Sequence, residues 1–123
     1  MKNAALLTFA LCLSTPAFAA GDAEAGAKLF PRLCGGCHQV GESARPAFGP
    51  ELNGIVGRRA GTSANYIYSD AMKSSGITWD RETLTAYLKD PKGVVPGTRM
   101  IFWGLSDEEK VDNLLAYLQS FPE

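Results

Sequence analysis

Two cysteines separated by two residues and followed at once by a histidine stand near the start of this chain, in the run Cys34-Gly35-Gly36-Cys37-His38. Thiols at this spacing can add across the two vinyl groups of a haem as thioethers, and the adjoining imidazole is then placed to ligate the iron. C-x-x-C-H is the attachment signature of a c-type haem. His38 is the only histidine in the chain, and the third cysteine, Cys12, lies in an N-terminal stretch expected to be removed. Other uses of the pair fail in turn. Structural zinc needs four nitrogen or sulfur donors, which two cysteines and one histidine cannot supply. A thioredoxin-like redox pair opens a helix in a strand-rich pattern, and no run of alternating β-branched residues is present to build one. A plain Cys34–Cys37 disulfide stays open in an oxidising compartment, yet it leaves His38 without a role.

A single histidine cannot fill both axial positions of the iron. The usual second ligand is a methionine thioether. Met1 leaves with the N-terminus, so the choice lies between Met72 and Met100. Met100 follows Val95-Pro96-Gly97-Thr98-Arg99, a loop that can carry a side chain across a haem face. Met72 falls in a short helical stretch between Asp70 and Lys73, where ordinary packing is the expectation. Met100 is therefore the expected ligand.

These residues need elements to position them. Residues 1–19 read as a cleaved signal peptide: Lys2 is a positive start, Ala4 to Leu13 a short apolar run, and Ala17-Phe18-Ala19 an A-x-A cleavage site, with cleavage after Ala20 the close alternative. The run is too short to span a bilayer. Residues 20–123 form one small domain whose thin core a haem would enlarge. The pattern predicts helices separated by Gly/Pro-rich loops, an all-α domain. Asp22 caps a first helix with Ala23, Ala27 and Phe30 on its apolar side. Pro31 is expected to kink or stop that helix. Residues 41–65 read as loop, and a short helix covers Ser69–Ser74. Asp80 caps the next helix, Leu84, Tyr87 and Leu88 share its face, and Pro91 stops it. In the last helix Ser106 and Glu109 suggest a capping box, and Val111, Leu114, Leu115 and Leu118 make an i, i+3, i+4, i+7 stripe. The first and last helices are expected to cross at Gly26.

Charge is unevenly spread. Residues 26–100 carry ten basic and six acidic side chains, whereas residues 20–25 and 101–123 together carry one basic and seven acidic. Such a dipole can orient a protein during encounter. No Lys/Arg cluster suggests nucleic acid.

Beyond the haem motif, the sequence contains Gly49-Pro50, Gly57-Arg58, Tyr66-x-Tyr68, Trp79 and Pro96-Gly97-Thr98-Arg99-Met100. With this set the chain resembles class I cytochromes c, in particular the mitochondrial type and its short periplasmic bacterial relatives, over nearly all of residues 20–123. The resemblance implies one cytochrome c domain of helices and loops wrapped around one haem c, bound through Cys34 and Cys37, with His38 and Met100 as metal ligands. It implies that the Pro50 carbonyl accepts the His38 ring N–H, and that Arg58, Tyr68 and Trp79 hydrogen-bond a haem propionate. It also implies that Tyr87 and Thr98 lie near the Met100 sulfur and that Phe102 covers the haem face near its exposed edge. Two departures stand out. Met72 occupies a position where the mitochondrial type commonly has asparagine, which implies a drier pocket and a higher potential. The family's lysine ring is only partly kept, as Lys28, Lys92 and Arg99, while Leu33 and Asp107 replace two of its members.

The function implied is that of a soluble periplasmic one-electron carrier, monomeric, not inserted in a membrane and not an enzyme. Its partners would be membrane redox complexes: a cytochrome bc-type donor, and an oxidase, reductase or reaction centre as acceptor. Two other classes stay open. A haem enzyme needs a labile sixth position, and no second histidine is present to act as a distal acid or base. A gas-binding sensor or fixed subunit would bind carbon monoxide or co-purify with a second chain.

Overall fold

The computed structural model describes residues 21–123, which form five helices, most of them joined by loops. The expected leader lies outside the described residues. The helices are α1 (Ala23–Leu33), α2 (Asp70–Lys73), α3 (Arg81–Lys89), α4 (Pro91–Val94) and α5 (Glu108–Gln119), with α3 and α4 separated by Asp90 alone. Among the described residues there is no sheet, and the only strand-like pairing is an isolated bridge between Arg59 and Thr78. The fold is all-α, as the apolar periodicities predict.

Helices α1 and α5 make the most extensive contact between elements. Asp22 opens α1 by accepting the Glu24 and Ala25 N–H groups, which satisfies donors that have no partner in the first turn. Gly26 sits where α1 meets α5: a Cβ there would run into the Asn113 carbonyl and the Tyr117 Cβ. The backbones can approach this closely only because Gly26 has no side chain. Val111, Leu114, Leu115 and Leu118 are all buried, so the stripe on α5 faces the core it was expected to face.

Two local expectations are corrected. Helix α1 does not stop at Pro31 but continues to Leu33. Proline removes one donor, and so close to the helix end only the Ala27 carbonyl is deprived, while Cys34 N–H still reaches the Phe30 carbonyl at 2.8 Å. The cap of α5 is Asp107, not Ser106, with its carboxylate accepting the Lys110 N–H at 3.1 Å. A carboxylate suits the positive end of the helix dipole better than a hydroxyl.

Helix α3 begins with a reciprocal cap between Asp80 and Thr83 and buries Leu84, Tyr87 and Leu88. Pro91 ends it and starts the four-residue α4 at a position that needs no N–H. This short helix leads into the loop that carries Met100.

Candidate haem site

A cavity of about 290 Å³ opens between the loops and the buried faces of α3 and α5. Its walls include Leu52, Ile55, Leu84, Leu88, Leu114 and Leu118, so an apolar ring system can be desolvated there. Cys34, Cys37 and His38 line it from one side and Met100 from the loop segment that follows α4. Pro50, Arg58, Tyr68, Trp79, Tyr87, Thr98 and Phe102 line it as well. All eleven residues singled out from the sequence are thus gathered around one space.

The C-terminal end of α1 sets the cysteine pair. Cys37 N–H and His38 N–H both donate to the Cys34 carbonyl, at 3.0 and 2.8 Å. The two sulfurs are not bonded to each other. Burial, reinforced by the neighbouring Cys37, pushes the Cys34 thiol up to about 11, so the unmodified side chain stays protonated at neutral pH.

His38 is held by its far nitrogen. Nδ1 lies 2.8 Å from the Pro50 carbonyl oxygen. A carbonyl can only accept, so Nδ1 carries the proton and the Nε2 lone pair is the one left to bind a metal. Burial lowers the His38 pKa, the Pro50 carbonyl works against that, and the Arg58 charge adds to it; the net direction is down. The imidazole is therefore kept in the neutral form that a metal requires. Gly49 packs against the same ring, 2.7 Å from Nδ1 if it carried a Cβ.

Met100 is delivered by a tight turn. Thr98 N–H donates to the Val95 carbonyl at 2.9 Å, and Gly97 has φ +92°, the pattern of a type II turn with Pro96 and Gly97 at its centre. The Tyr87 and Thr98 hydroxyls share a hydrogen bond of 2.7 Å. Met100 N–H in turn donates to Thr98 Oγ1 at 3.3 Å, which ties the methionine backbone to α3. Met72, half-buried at the centre of α2, also lines the cavity, so both internal methionines reach it.

The polar wall is made by Arg58, Tyr68 and Trp79. Tyr68 accepts the Ser63 N–H at 3.1 Å and keeps its own hydroxyl proton free to donate. Trp79 is buried with its ring 5.0 Å from that of Tyr87. Among the described residues no buried side-chain nitrogen or oxygen lacks a partner. Arg58 is held by Glu51, a residue that sequence reasoning missed. The signal available was a lone carboxylate directly after Gly49-Pro50, seven positions before Arg58, in a segment otherwise poor in acids.

A soft thioether, a neutral imidazole nitrogen, two thiols and a mainly apolar cavity lined also by N–H and O–H donors are the set that a c-type haem needs. Comparison with known proteins decides the family. The family model described as cytochrome c matches residues 23–122.

The chain belongs to the cytochrome c family. It is 45% identical over 121 residues to cytochrome c2 of Blastochloris viridis, spanning 98% of this chain and 94% of that one. Cytochrome c of Cannabis sativa is 46% identical over 99 residues, 80% of this chain and 89% of the plant protein. Among solved structures, cytochrome cH from Methylobacterium extorquens superposes with a TM-score of 0.76 at 48% identity, covering 81% of this chain and 99% of that one. Members of the family carry a covalently attached c-type haem, and Cys34 and Cys37 stand in the motif that attaches it.

Proposed function

We propose that this cytochrome is an exported one-electron carrier that shuttles between membrane redox complexes. When bound, the haem supplies a ferric/ferrous couple. Cys34 and Cys37 would tether it as thioethers, and His38 Nε2 and the Met100 sulfur would be the groups that hold its iron. Pro50 fixes the His38 tautomer. Arg58, Tyr68 and Trp79 hold a propionate, Tyr87 and Thr98 steady Met100, and Phe102 covers the haem near its exposed edge. The single observation that carries this reading is that His38 and Met100 line one cavity. With these two residues as its ligands the metal would have no position left for a substrate, which favours a carrier over an enzyme or gas sensor.

Residues 1–19 act as a cleaved export signal and residues 20–123 as the working domain, monomeric in the periplasm. The bacterial relatives named cytochrome c2 support a redox role with membrane complexes; the partners proposed are a bc-type donor and an oxidase, reductase or reaction-centre acceptor. No helix among the described residues is long and apolar enough to cross a membrane.

The test is the visible spectrum of the exported protein, oxidised and reduced, with and without carbon monoxide. A low-spin c-type spectrum with a sulfur-to-iron band, unchanged by carbon monoxide, is the expected result. A high-spin spectrum, or one that shifts with carbon monoxide, would replace the carrier with a catalytic or sensing role.

A further inference from the structure

We propose that Glu51 is a positioning and redox-tuning residue, which clamps the Arg58 guanidinium at the cavity wall and offsets its charge. Arg58 then offers directed N–H donors to an anionic group of the haem without adding net positive charge beside the iron.

The geometry is a two-sided clamp. Arg58 Nη1 donates to Glu51 Oε1 at 2.9 Å and to the Asn53 carbonyl at 3.0 Å, and Nη2 donates to the Glu51 carbonyl at 2.7 Å. Glu51 is itself fixed, since the Ser63 hydroxyl donates to Oε1 and the Asn53 N–H to Oε2, both at 2.8 Å. The two side chains are only 9% and 20% exposed, so solvent screens this pair less than a surface pair. Arg58 lines the cavity and Glu51 stands behind it. These contacts use both Nη1 hydrogens and one on Nη2, which leaves Nε–H and the second Nη2 hydrogen as the donors still to be placed.

A haem carries propionate carboxylates, which need such donors in surroundings this apolar. An unpaired arginine would do more than donate. A nearby positive charge favours the reduced, more negative state of the iron site and raises the potential. Glu51 removes most of that bias and leaves the hydrogen bonds. Two further cations line the cavity, Arg59 and Arg99; both residues are exposed, so water screens them more strongly.

The proposal rests on a haem held by His38 and Met100, so absorption spectra are recorded first for the native protein and every variant. The midpoint potential is then measured by redox titration. Glu51→Gln keeps the size and removes the charge, and the ferrous-to-ferric ratio at a fixed potential is expected to rise several-fold; a tenfold change corresponds to about 59 mV for a one-electron couple. Glu51→Asp keeps the charge and is expected to stay near the native value. Glu51→Gln combined with Arg58→Gln neutralises both partners and is expected to return toward it. An unmoved potential in Glu51→Gln, or equal shifts in Glu51→Gln and Glu51→Asp, overturns the proposal while a native His/Met spectrum leaves the ligation reading standing. A native spectrum without that signature overturns both. If Glu51→Gln yields no holoprotein, Arg58→Gln is compared with the double variant. The double variant is expected at the higher potential, and equal values overturn the proposal.

Discussion

The imidazole Nδ1 of His38 and the carbonyl oxygen of Pro50 lie 2.8 Å apart, and this contact decides which ring nitrogen faces the cavity. Its persistence depends on the residue in front of the proline. Gly49 is buried, and a Cβ on it would meet the His38 ring. Gly49→Ala is therefore expected to push the imidazole away from Pro50 and out of the position from which it would hold an iron. The measurable outcome is a lower yield of low-spin holoprotein, or a native fold that binds carbon monoxide. A normal spectrum and yield would show that the loop can move aside.

Met72 lines the cavity from α2 without a polar atom that hydrogen-bonds strongly. An amide at this position would bring a dipole, and with it water, beside the haem. Polar surroundings favour the ferric, more highly charged state, so Met72→Asn is expected to lower the midpoint potential. Potentiometric titration at neutral pH checks this, and an unchanged value would remove the idea of a drier pocket.

Gly26 bears on stability rather than on chemistry. A methyl group there would strike the Asn113 backbone on α5, which cannot rotate out of the way as a side chain could. Overpacking of this kind costs about 1–3 kcal/mol, and the gain in helix propensity of about 1 kcal/mol recovers only part of it. Gly26→Ala is expected to lower the denaturant midpoint with little change in its slope. Equal or greater stability would mean that the α1–α5 crossing adjusts freely.

The Gly26 crossing also marks what a sequence reveals. Helices α3 and α5 and the loop to Met100 were legible because the α3 cap, apolar spacing and Pro-Gly act locally. The cysteine pair and His38 were legible because covalent chemistry restricts residue type and spacing. Missed features depend on partners distant in the chain or on a balance between two near-equal options. Glu51 and Ser63 are twelve residues apart, and nothing in either loop announces that they meet. The α5 cap went to Asp107 instead of its neighbour Ser106 because either can accept a backbone N–H and only the final backbone path chooses. Proline in α1 was tolerated because its position in the last turn limits the loss to one carbonyl.

Acid should expose the Glu51 clamp. Burial pushes this carboxyl up, but the Ser63 hydroxyl, the Asn53 N–H and Arg58 together outweigh it, so the net direction is down. The unfolded chain then takes up a proton on Glu51 at a higher pH than the folded chain does. Its contribution to stability is complete above the ordinary glutamate range and is lost as pH falls through the lower folded value. Unfolding midpoints measured from neutral pH downward are expected to drop less steeply across that window in Glu51→Gln than in the native protein. Parallel curves would mean that other carboxylates carry the acid sensitivity.

The rim of the cavity predicts how the protein meets its partners. Leu33, Phe48, Arg99 and Ile101 line the cavity, and Trp103 follows two residues after Ile101. Trp103 is fully exposed, Ile101 is 91% exposed and Phe48 87% exposed. Large apolar side chains exposed together mark interaction surfaces, and tryptophan is enriched among the residues that dominate binding at protein interfaces. The lysine ring that the resemblance to the mitochondrial type implies is only partly kept, as Lys28, Lys92 and Arg99, while Leu33 and Asp107 occupy two of its positions. Apolar contact is insensitive to ionic strength, whereas attraction between exposed charges fades beyond about 10 Å at 0.1 M salt. The rate of electron exchange with the bc-type donor proposed above is therefore expected to fall only weakly with added salt. Trp103→Ser is expected to weaken that association by roughly tenfold or more while leaving the absorption spectrum and midpoint potential unchanged. A steep salt dependence together with a silent Trp103→Ser would assign docking to the remaining cations instead.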